Sequence, residues 1–300
     1  MAGFLDRLNA GEVLVADGAT GTNYHRMGME QGAFPEEWVL DAPQNVLALH
    51  YSFANAGSDI ILTDSFGATR LRMHKSKYAA RTVEINLRAA ALAREAAAAR
   101  ENVLVGGSMG PLGKMMEPLG DLTHADVVQN CSEQAAALAE GGVDFLLLET
   151  FFSIEEAVAA IEGVKQASNL PLVVSFSYDQ GTRSMMGLGP SKVMQTVLPL
   201  GVAAIGVNCG KTLEATETVL AEMKAVNSGC PFWVKPNAGL PRGIPPAYDV
   251  TPAEMAAYAV RFVREGAQIV GGCCGTTPEH VAAIAHAVRA MKTSQSGEPA

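Results

Sequence analysis

Hydrophobic and polar residues alternate along the chain in blocks. A short run of β-branched and aliphatic residues ends at a polar or glycine-rich point, an alanine-rich amphipathic stretch follows, and the cycle restarts. Nearly continuous apolar runs are typical of parallel strands that are covered on both faces. The pattern predicts eight strands, at Glu12–Asp17, Asp59–Thr63, Asn102–Ser108, Val143–Glu149, Pro171–Phe176, Ala203–Asn208, Phe232–Pro236 and Gln268–Gly272.

A helix-like stretch follows each strand. Capping signals support several of the helix starts, because Ser153 with Glu156 forms a capping-box pattern and Thr251 precedes Pro252. The stretches lie approximately at Gln44–Ala56, Ala79–Arg100, His124–Glu140, Ser153–Ala167, Ser191–Leu198, Leu213–Asn227, Pro252–Glu265 and Pro278–Met291.

Eight strand–helix units are the number found in a (β/α)8 TIM barrel, an α/β fold that commonly occupies about 250 residues as one domain. The structural alternative is an open, doubly wound parallel sheet. No linker divides the chain. We therefore predict a single barrel domain at residues 1–292, followed by a polar and disordered tail at residues 293–300.

Composition and charge disfavour several classes of protein. The 300 residues carry a net charge of -9 and include no basic stretch, which disfavours binding to nucleic acid or to an anionic membrane. No apolar run approaches the ~20 residues of a membrane span, and no signal peptide is visible. The five cysteines are too few for a disulfide scaffold, so a cytoplasmic location is expected.

The predicted strand ends concentrate polar and sulfur-bearing residues. Active sites of (β/α)8 barrels lie at the carboxyl ends of the strands, so these side chains are expected to converge on one rim. They are Asp17, Asp64, Ser108, Glu149, Asn208-Cys209, Asn237 and Cys273-Cys274.

Three of the five cysteines belong to this rim. Cys209 follows strand six, whereas Cys273 and Cys274 follow strand eight, and both strands are neighbours of strand seven. Three thiolates from two strand ends suit one Zn²⁺ with an open fourth position, which is the mark of a catalytic zinc site. The alternative is that they are small buried residues or a strained vicinal disulfide. Cys131 and Cys230 are interpreted as structural.

A zinc ion of this kind would bind a substrate thiol. A free thiol with a pKa near ~8.5 is mostly protonated at neutral pH, whereas a zinc-bound thiol is deprotonated and nucleophilic. The loop from Asp17 to Thr22 contains two glycines and can bring backbone N–H groups close to a carboxylate. Asp17 and Glu149 can receive an ammonium group. An α-amino acid that carries a thiol would suit these parts.

These motifs together resemble the homocysteine S-methyltransferase family. Asp17–Thr22, Glu149-Thr150, Val207–Cys209 and Gly272–Pro278 carry the resemblance, which covers nearly the whole chain in order. The family includes betaine–homocysteine methyltransferase and the homocysteine-binding module of cobalamin-dependent methionine synthase. The resemblance implies a zinc-bearing barrel in which Cys209, Cys273 and Cys274 are the metal ligands, while Asp17, Gly18 and Glu149 hold homocysteine.

The methyl donor is suggested by a longer segment. Leu14–Leu71 looks most like the short bacterial proteins called betaine–homocysteine methyltransferases, which implies transfer from glycine betaine to give dimethylglycine and methionine. One feature departs from the animal betaine enzymes, which have cage tyrosines where this chain has Gly67 and Thr150. Quaternary ammonium groups are normally held by aromatic faces. The aromatic residues that can replace those tyrosines are Phe34, Trp38, Phe66, Phe151 and Phe152.

Three alternatives remain from the sequence. A sulfonium compound such as S-methylmethionine or dimethylsulfoniopropionate is a more reactive donor than betaine. The chain can also act as a homocysteine-activating module that works with a corrinoid protein, as in a split cobalamin-dependent methionine synthase. A Schiff-base lyase is a third alternative, since Lys235 lies near the end of strand seven.

Overall fold

The computed structural model describes residues 2–227, 229–243 and 246–296, with side chains described up to Met291. Eight parallel strands form one sheet in the order β1-β8-β7-β6-β5-β4-β3-β2, and a further parallel bridge between Ala16 and Ile60 joins the two edge strands. The predicted (β/α)8 barrel is therefore confirmed. The strands are β1 Leu14–Val15, β2 Ile60–Leu62, β3 Leu104–Met109, β4 Phe145–Phe151, β5 Leu172–Phe176, β6 Ala204–Cys209, β7 Phe232–Pro236 and β8 Ala267–Val270.

Helices cover the outside of the barrel. Those that follow the strands match the amphipathic stretches of the sequence, and their apolar faces pack against strands whose residues are almost all buried. Three shorter helices, α1 to α3, were not predicted. The helices are α1 Phe4–Asn9, α2 Gly21–Arg26, α3 Trp38–Asp41, α4 Pro43–Ala56, α5 Thr82–Ala98, α6 His124–Glu140, α7 Ile154–Ala167, α8 Pro190–Val197, α9 Leu213–Val226, α10 Pro252–Arg264 and α11 Pro278–Ser296.

Helix α1 closes the amino end of the barrel. Phe4 stacks on Phe145 with ring centroids 4.2 Å apart, and Phe145 meets the edge of Trp233 at 6.0 Å. These rings belong to a buried apolar cluster inside the barrel. Burial of aromatic rings stabilises the fold, so the amino end is a packed core and the opposite end is left for polar residues.

Two details of the prediction change in the structure. Ser153 caps α7 by accepting a hydrogen bond from the Glu156 N–H, but the Glu156 carboxylate accepts from the backbone N–H of Leu112 at 2.7 Å and does not complete a capping box. Helix α11 runs to Ser296, so the tail predicted at residues 293–300 begins within the helix. Residues 297–300 lie outside the described part of the chain. None of the helices described is both long and apolar enough to span a bilayer.

Candidate metal and substrate site

The three predicted metal ligands lie together at the carboxyl end of the barrel. The Sγ atoms of Cys209 and Cys273 are 3.1 Å apart, and those of Cys209, Cys273 and Cys274 all lie within 4.8 Å of one another. All five cysteines are free thiols, so the vicinal disulfide is not formed. Zinc–sulfur bonds of ~2.3 Å place three sulfurs around one ion at comparable separations, so the cluster fits a zinc ion.

Backbone geometry turns the cysteines toward one point. Cys209 adopts a left-handed conformation with φ of 59°. The N–H of Cys273 donates to the carbonyl of Pro236 at 2.8 Å, and the N–H of Cys274 donates to Asn237 Oδ1 at 3.0 Å. The Asn237 N–H donates to the Cys209 carbonyl at 3.2 Å, so both strand neighbours of β7 are anchored to its carboxyl end, as the order of the strands predicted.

The cluster already favours a thiolate. Hydrogen bonds from Cys209 and then Cys273 lower the pKa of the Cys274 thiol to about 3. A thiolate is the form of cysteine that binds a metal. The electrostatics of the cluster therefore agree with its geometry as a metal site.

Asp17 is buried against Lys235. The Lys235 ammonium donates to Asp17 Oδ1 at 2.6 Å, and the backbone N–H of Leu62 donates to Asp17 Oδ2 at 2.8 Å. Both side chains of the pair are only 3% exposed. Asp17 therefore stands behind the cavity with a protein cation as its partner, and sequence reasoning missed this pairing because the two residues are 218 positions apart.

Lys235 is held in its charged form. Burial opposes the charge, but the carboxylates of Asp17 and Glu149 outweigh it and raise the pKa of Lys235. A Schiff-base lysine must lose its proton before it can attack a carbonyl. The ion pair therefore argues against the lyase alternative.

Glu149 is the second predicted anchor. Its Oε1 accepts a hydrogen bond from the Ser108 hydroxyl at 2.5 Å, and burial raises the pKa of its carboxyl to about 7, against the effect of Lys235. A buried carboxyl with a raised pKa gains stability when a cation arrives beside it. Glu149 is thus placed to receive a substrate ammonium.

Gly18 permits the first loop to approach β8. A Cβ atom at this position would lie 2.7 Å from the Phe53 ring and 2.9 Å from Thr276 Oγ1. The next residue, Ala19, donates its backbone N–H to Thr276 Oγ1 at 3.1 Å. A side chain at position 18 would push the loop away from the cysteines, which explains why glycine is needed there.

One cavity of about 650 Å³ contains these groups. We call one part of this cavity the thiol half, which consists of Cys209, Cys273, Cys274, Glu149 and Lys235. Gly18 also contributes to the cavity wall. Its carboxylate half consists of Phe34, Glu36, Asp64, Phe66 and Arg72.

The carboxylate half contains two buried acids. The Tyr24 hydroxyl donates to Asp64 Oδ2 at 3.0 Å, and the backbone N–H of Gly67 donates to Glu36 Oε1 at 2.5 Å. Burial, followed by the negative charge of Glu36, raises the pKa of Asp64 to about 8. Asp64 was already placed on the rim by its strand end, but Glu36 lies in a short turn without hydrophobic periodicity and carried no signal in the sequence.

The aromatic candidates for a donor cage separate into two groups. Phe34 and Phe66 line the cavity, whereas Trp38 packs on Tyr24 with centroids 4.7 Å apart and Phe151 is buried in the core. Phe152 is not among the residues that line this cavity. Two of the five candidate rings therefore line the cavity, and Tyr248, which the sequence did not mark, hydrogen-bonds to the Cys274 thiol.

Comparisons with known proteins agree with this geometry. The model of the family described as homocysteine S-methyltransferase matches residues 14–288. Methionine synthases from Mycobacterium tuberculosis and Mycobacterium leprae are both 30% identical to the chain over 93% of its length. The matched region is 25% and 24% of those proteins, respectively, so the chain spans about a quarter of the length of these curated relatives.

Solved structures show the same fold. The structure of the homocysteine methyltransferase MmuM from Escherichia coli in its metallated form superposes with a TM-score of 0.81, covering 93% of this chain and 97% of that one at 23% identity. The oxidized form of the same protein gives a TM-score of 0.77 at 24% identity. At this level of identity the likeness extends to the architecture of the barrel.

Proposed function

The chain belongs to the homocysteine S-methyltransferase family, and we propose that it transfers a methyl group to the thiol of L-homocysteine to form methionine, using zinc held by Cys209, Cys273 and Cys274. The observation that carries this proposal is the convergence of three thiols, within 4.8 Å of one another, on a cavity that also contains Glu149. Free thiols persist in a reducing compartment, so we also propose a cytoplasmic location.

The chain's own residues would bind and orient the amino acid. Glu149 receives the homocysteine ammonium, and the Asp17–Lys235 ion pair fixes the wall behind it. Gly18 and Ala19 bring the first loop near enough to hold the substrate carboxylate. A bound zinc ion supplies Lewis acidity, which keeps the substrate sulfur deprotonated at neutral pH.

Glycine betaine is the proposed methyl donor. The sulfur lone pair forms a bond to a methyl carbon while the bond between that carbon and nitrogen breaks, and its electron pair stays on the nitrogen of dimethylglycine. Betaine is a zwitterion, and the carboxylate half of the cavity offers both signs of charge: Glu36 and Asp64 for the ammonium and Arg72 for the carboxylate. Desolvation would favour the transfer, because opposite charges on sulfur and nitrogen cancel as the methyl moves.

A second candidate is a homocysteine-activating module that receives its methyl group from a corrinoid protein. The observation in its favour is the 30% identity to methionine synthases across 93% of the chain. Because the chain covers only a quarter of those relatives, the rest of their activity is a proposal for this protein.

A donor panel separates these candidates. Zinc-loaded enzyme and homocysteine are incubated with glycine betaine, dimethylsulfoniopropionate, S-methylmethionine, S-adenosylmethionine or methylcobalamin, and methionine and dimethylglycine are measured. We expect dimethylglycine and methionine in equal amounts from betaine. If methionine forms only with a sulfonium or only with methylcobalamin, methyl transfer to homocysteine is retained and that compound replaces betaine as the proposed donor. No methionine from any donor would contradict the proposed function.

A further inference from the structure

The position of a cage residue is filled by charge in this protein. A Cβ atom placed on Gly67 would lie 2.8 Å from Glu36 Oε1 and 3.0 Å from Arg72 Nε. A larger side chain at this position would therefore displace a buried carboxylate and a guanidinium. The space beside Gly67 is therefore not empty. Glu36 reaches the cavity there and accepts the hydrogen bond from the Gly67 N–H.

The ring of Phe66 is already covered. The Arg72 guanidinium lies over it at 5.1 Å from the centroid, and a Cβ atom on Gly110 would lie 2.5 Å from its edge atoms. Cation recognition by an aromatic residue needs a free face. Of the two candidate rings that line the cavity, Phe66 therefore has one face covered by a cation of the protein itself.

Asp64 offers an oxygen without a partner. The residue is 3% exposed and lines the cavity, and its Oδ2 accepts the hydrogen bond from Tyr24. Within the described part of the chain, no hydrogen bond reaches its Oδ1. Because Asp64 lines the cavity and its Oδ1 is not one of the fully enclosed polar atoms that lack a partner, this oxygen is open to the cavity and can accept a cationic ligand there.

We propose that Asp64 and Glu36, rather than an aromatic cage, recognise the positive charge of the methyl donor in this protein. This inference rests on the proposed function, because it names the donor site of the same cavity. The two acids replace the aromatic cage, and Arg72 pairs with the carboxylate of the donor. Both acids line the cavity that contains the three thiols, so a donor bound by them shares one cavity with the substrate sulfur.

The experiment compares each onium with its uncharged carbon isostere. Glycine betaine is paired with 3,3-dimethylbutanoate, and dimethylsulfoniopropionate with 4-methylpentanoate, so that shape is kept and only the positive charge is removed. Binding to the zinc-loaded protein is measured by calorimetry without homocysteine and with methionine, neither of which permits methyl transfer. At least one onium should bind about tenfold or more tightly than its isostere.

Substitutions of the two acids identify the source of this preference. Asp64→Asn and Glu36→Gln keep the acceptors for Tyr24 and Gly67 while removing the negative charge. Each should reduce the ratio of onium to isostere affinity toward one. Asp144→Asn is the matched control, since Asp144 is a half-buried carboxylate at the amino end of β4, where it accepts from the Val105 N–H and pairs with Arg94, and it should leave the ratio unchanged.

The outcomes separate this inference from the proposed function. Equal binding of onium and isostere, no measurable binding of either onium, or an unchanged ratio in both variants would overturn it. Methionine formed from betaine without a charge preference would leave the proposed function intact and reject this donor site. A charge preference without methionine from any donor would do the reverse.

Discussion

The two halves of the cavity are built from different parts of the barrel. The thiol half stands on strand ends that the sheet fixes: Cys209 pairs with Pro236 in the ladder between β6 and β7, and Cys273 hydrogen-bonds to the same proline. In the carboxylate half, Glu36 and Arg72 come from short 3-10 helices in the connections. The sheet therefore fixes the reactive sulfur, whereas Glu36 and Arg72 lie in connecting segments that can change more readily. Of the charged residues in the carboxylate half, only Asp64 follows a strand end.

The halves also differ in how their charges are balanced. In the thiol half, Lys235 stands beside Asp17 and Glu149, so its acids have a buried cation. In the carboxylate half, burial raises the pKa of both acids, Arg72 lowers that of Glu36 only in part, and the charge of Glu36 raises that of Asp64, which has no cation of the protein beside it within the described part of the chain. A cationic ligand would therefore gain more from the carboxylate half.

The largest expected effect is on the thiol half. Cys273→Ala should lower zinc affinity more than about 100-fold, because even removal of a residue that only supports a metal ligand costs 10–100-fold. Methyl transfer should fall with the zinc content. Elemental analysis of the purified protein measures the metal, and methionine formation measures the activity.

Cys230→Ala is the control for this change. Cys230 is a half-buried free thiol that precedes β7, at the opposite end of that strand from the metal cluster. Its removal should leave zinc content unchanged. Full zinc and full activity in Cys273→Ala would exclude the cluster as the metal site.

Lys235→Met should destabilise the fold by about 3–5 kcal/mol, because it leaves the buried Asp17 carboxylate without its cation. Chemical unfolding of the zinc-loaded protein measures the loss. The double variant Asp17→Asn with Lys235→Met should recover much of it, since no charge then remains buried in the pair. If the double variant loses more stability than the two single variants combined, the broken ion pair is not the cause of the loss in Lys235→Met.

Glu149→Gln should weaken homocysteine binding by about 2–5 kcal/mol while zinc content stays near one per chain. The reason is that the substrate ammonium loses its buried charge partner. Calorimetry with zinc-loaded protein gives the affinity, and Glu156→Gln serves as a control for substitution of a buried acid. Unchanged homocysteine affinity would return Glu149 to a structural role through its bond with Ser108.

The thiol half was predictable from sequence for a physical reason. Apolar runs identify the strands, the parallel order places consecutive strand ends side by side, and Cys209 and Cys273-Cys274 follow those ends directly. The predicted strand Phe232–Pro236 matches β7 to the residue. The first strand was predicted longer than β1, since beyond Val15 the Leu62 N–H is taken by the Asp17 side chain in place of a backbone carbonyl, while the Asp17 backbone still bonds to Ile60 and Gly272.

The carboxylate half was not predictable in the same way. The sequence marked Gly67 as a departure from the animal betaine enzymes, but what fills that space comes from Glu36, 31 residues earlier in the chain. A three-residue 3-10 turn has no periodicity that says which way its side chains point. Only the folded positions of the two segments reveal that a carboxylate stands where a cage residue was expected.

The smallest expected effect is a pH dependence confined to the carboxylate half. In the free protein, burial and then the charge of Glu36 raise the pKa of Asp64 to about 8, so its carboxyl is mostly protonated at pH 7. An onium cation binds the ionised form. Onium affinity should therefore rise by up to tenfold per unit of pH below 8 and become constant above it. Calorimetry with glycine betaine and dimethylsulfoniopropionate from pH 6 to pH 9 measures the change.

The carbon isosteres make this dependence specific. Tyr24, Glu36, Glu37 and Arg72 are the titratable or charged groups that act on this carboxyl or its partner acid, and Glu36 and Asp64 titrate together as a pair. The thiols of the other half also ionise, but their effect is shared by an uncharged isostere of the same shape. In the wild-type protein, the ratio of onium affinity to isostere affinity should therefore rise toward pH 8. In Asp64→Asn, this ratio should not change with pH. A rise that persists in that variant would assign the proton to another group and would remove Asp64 from the donor site.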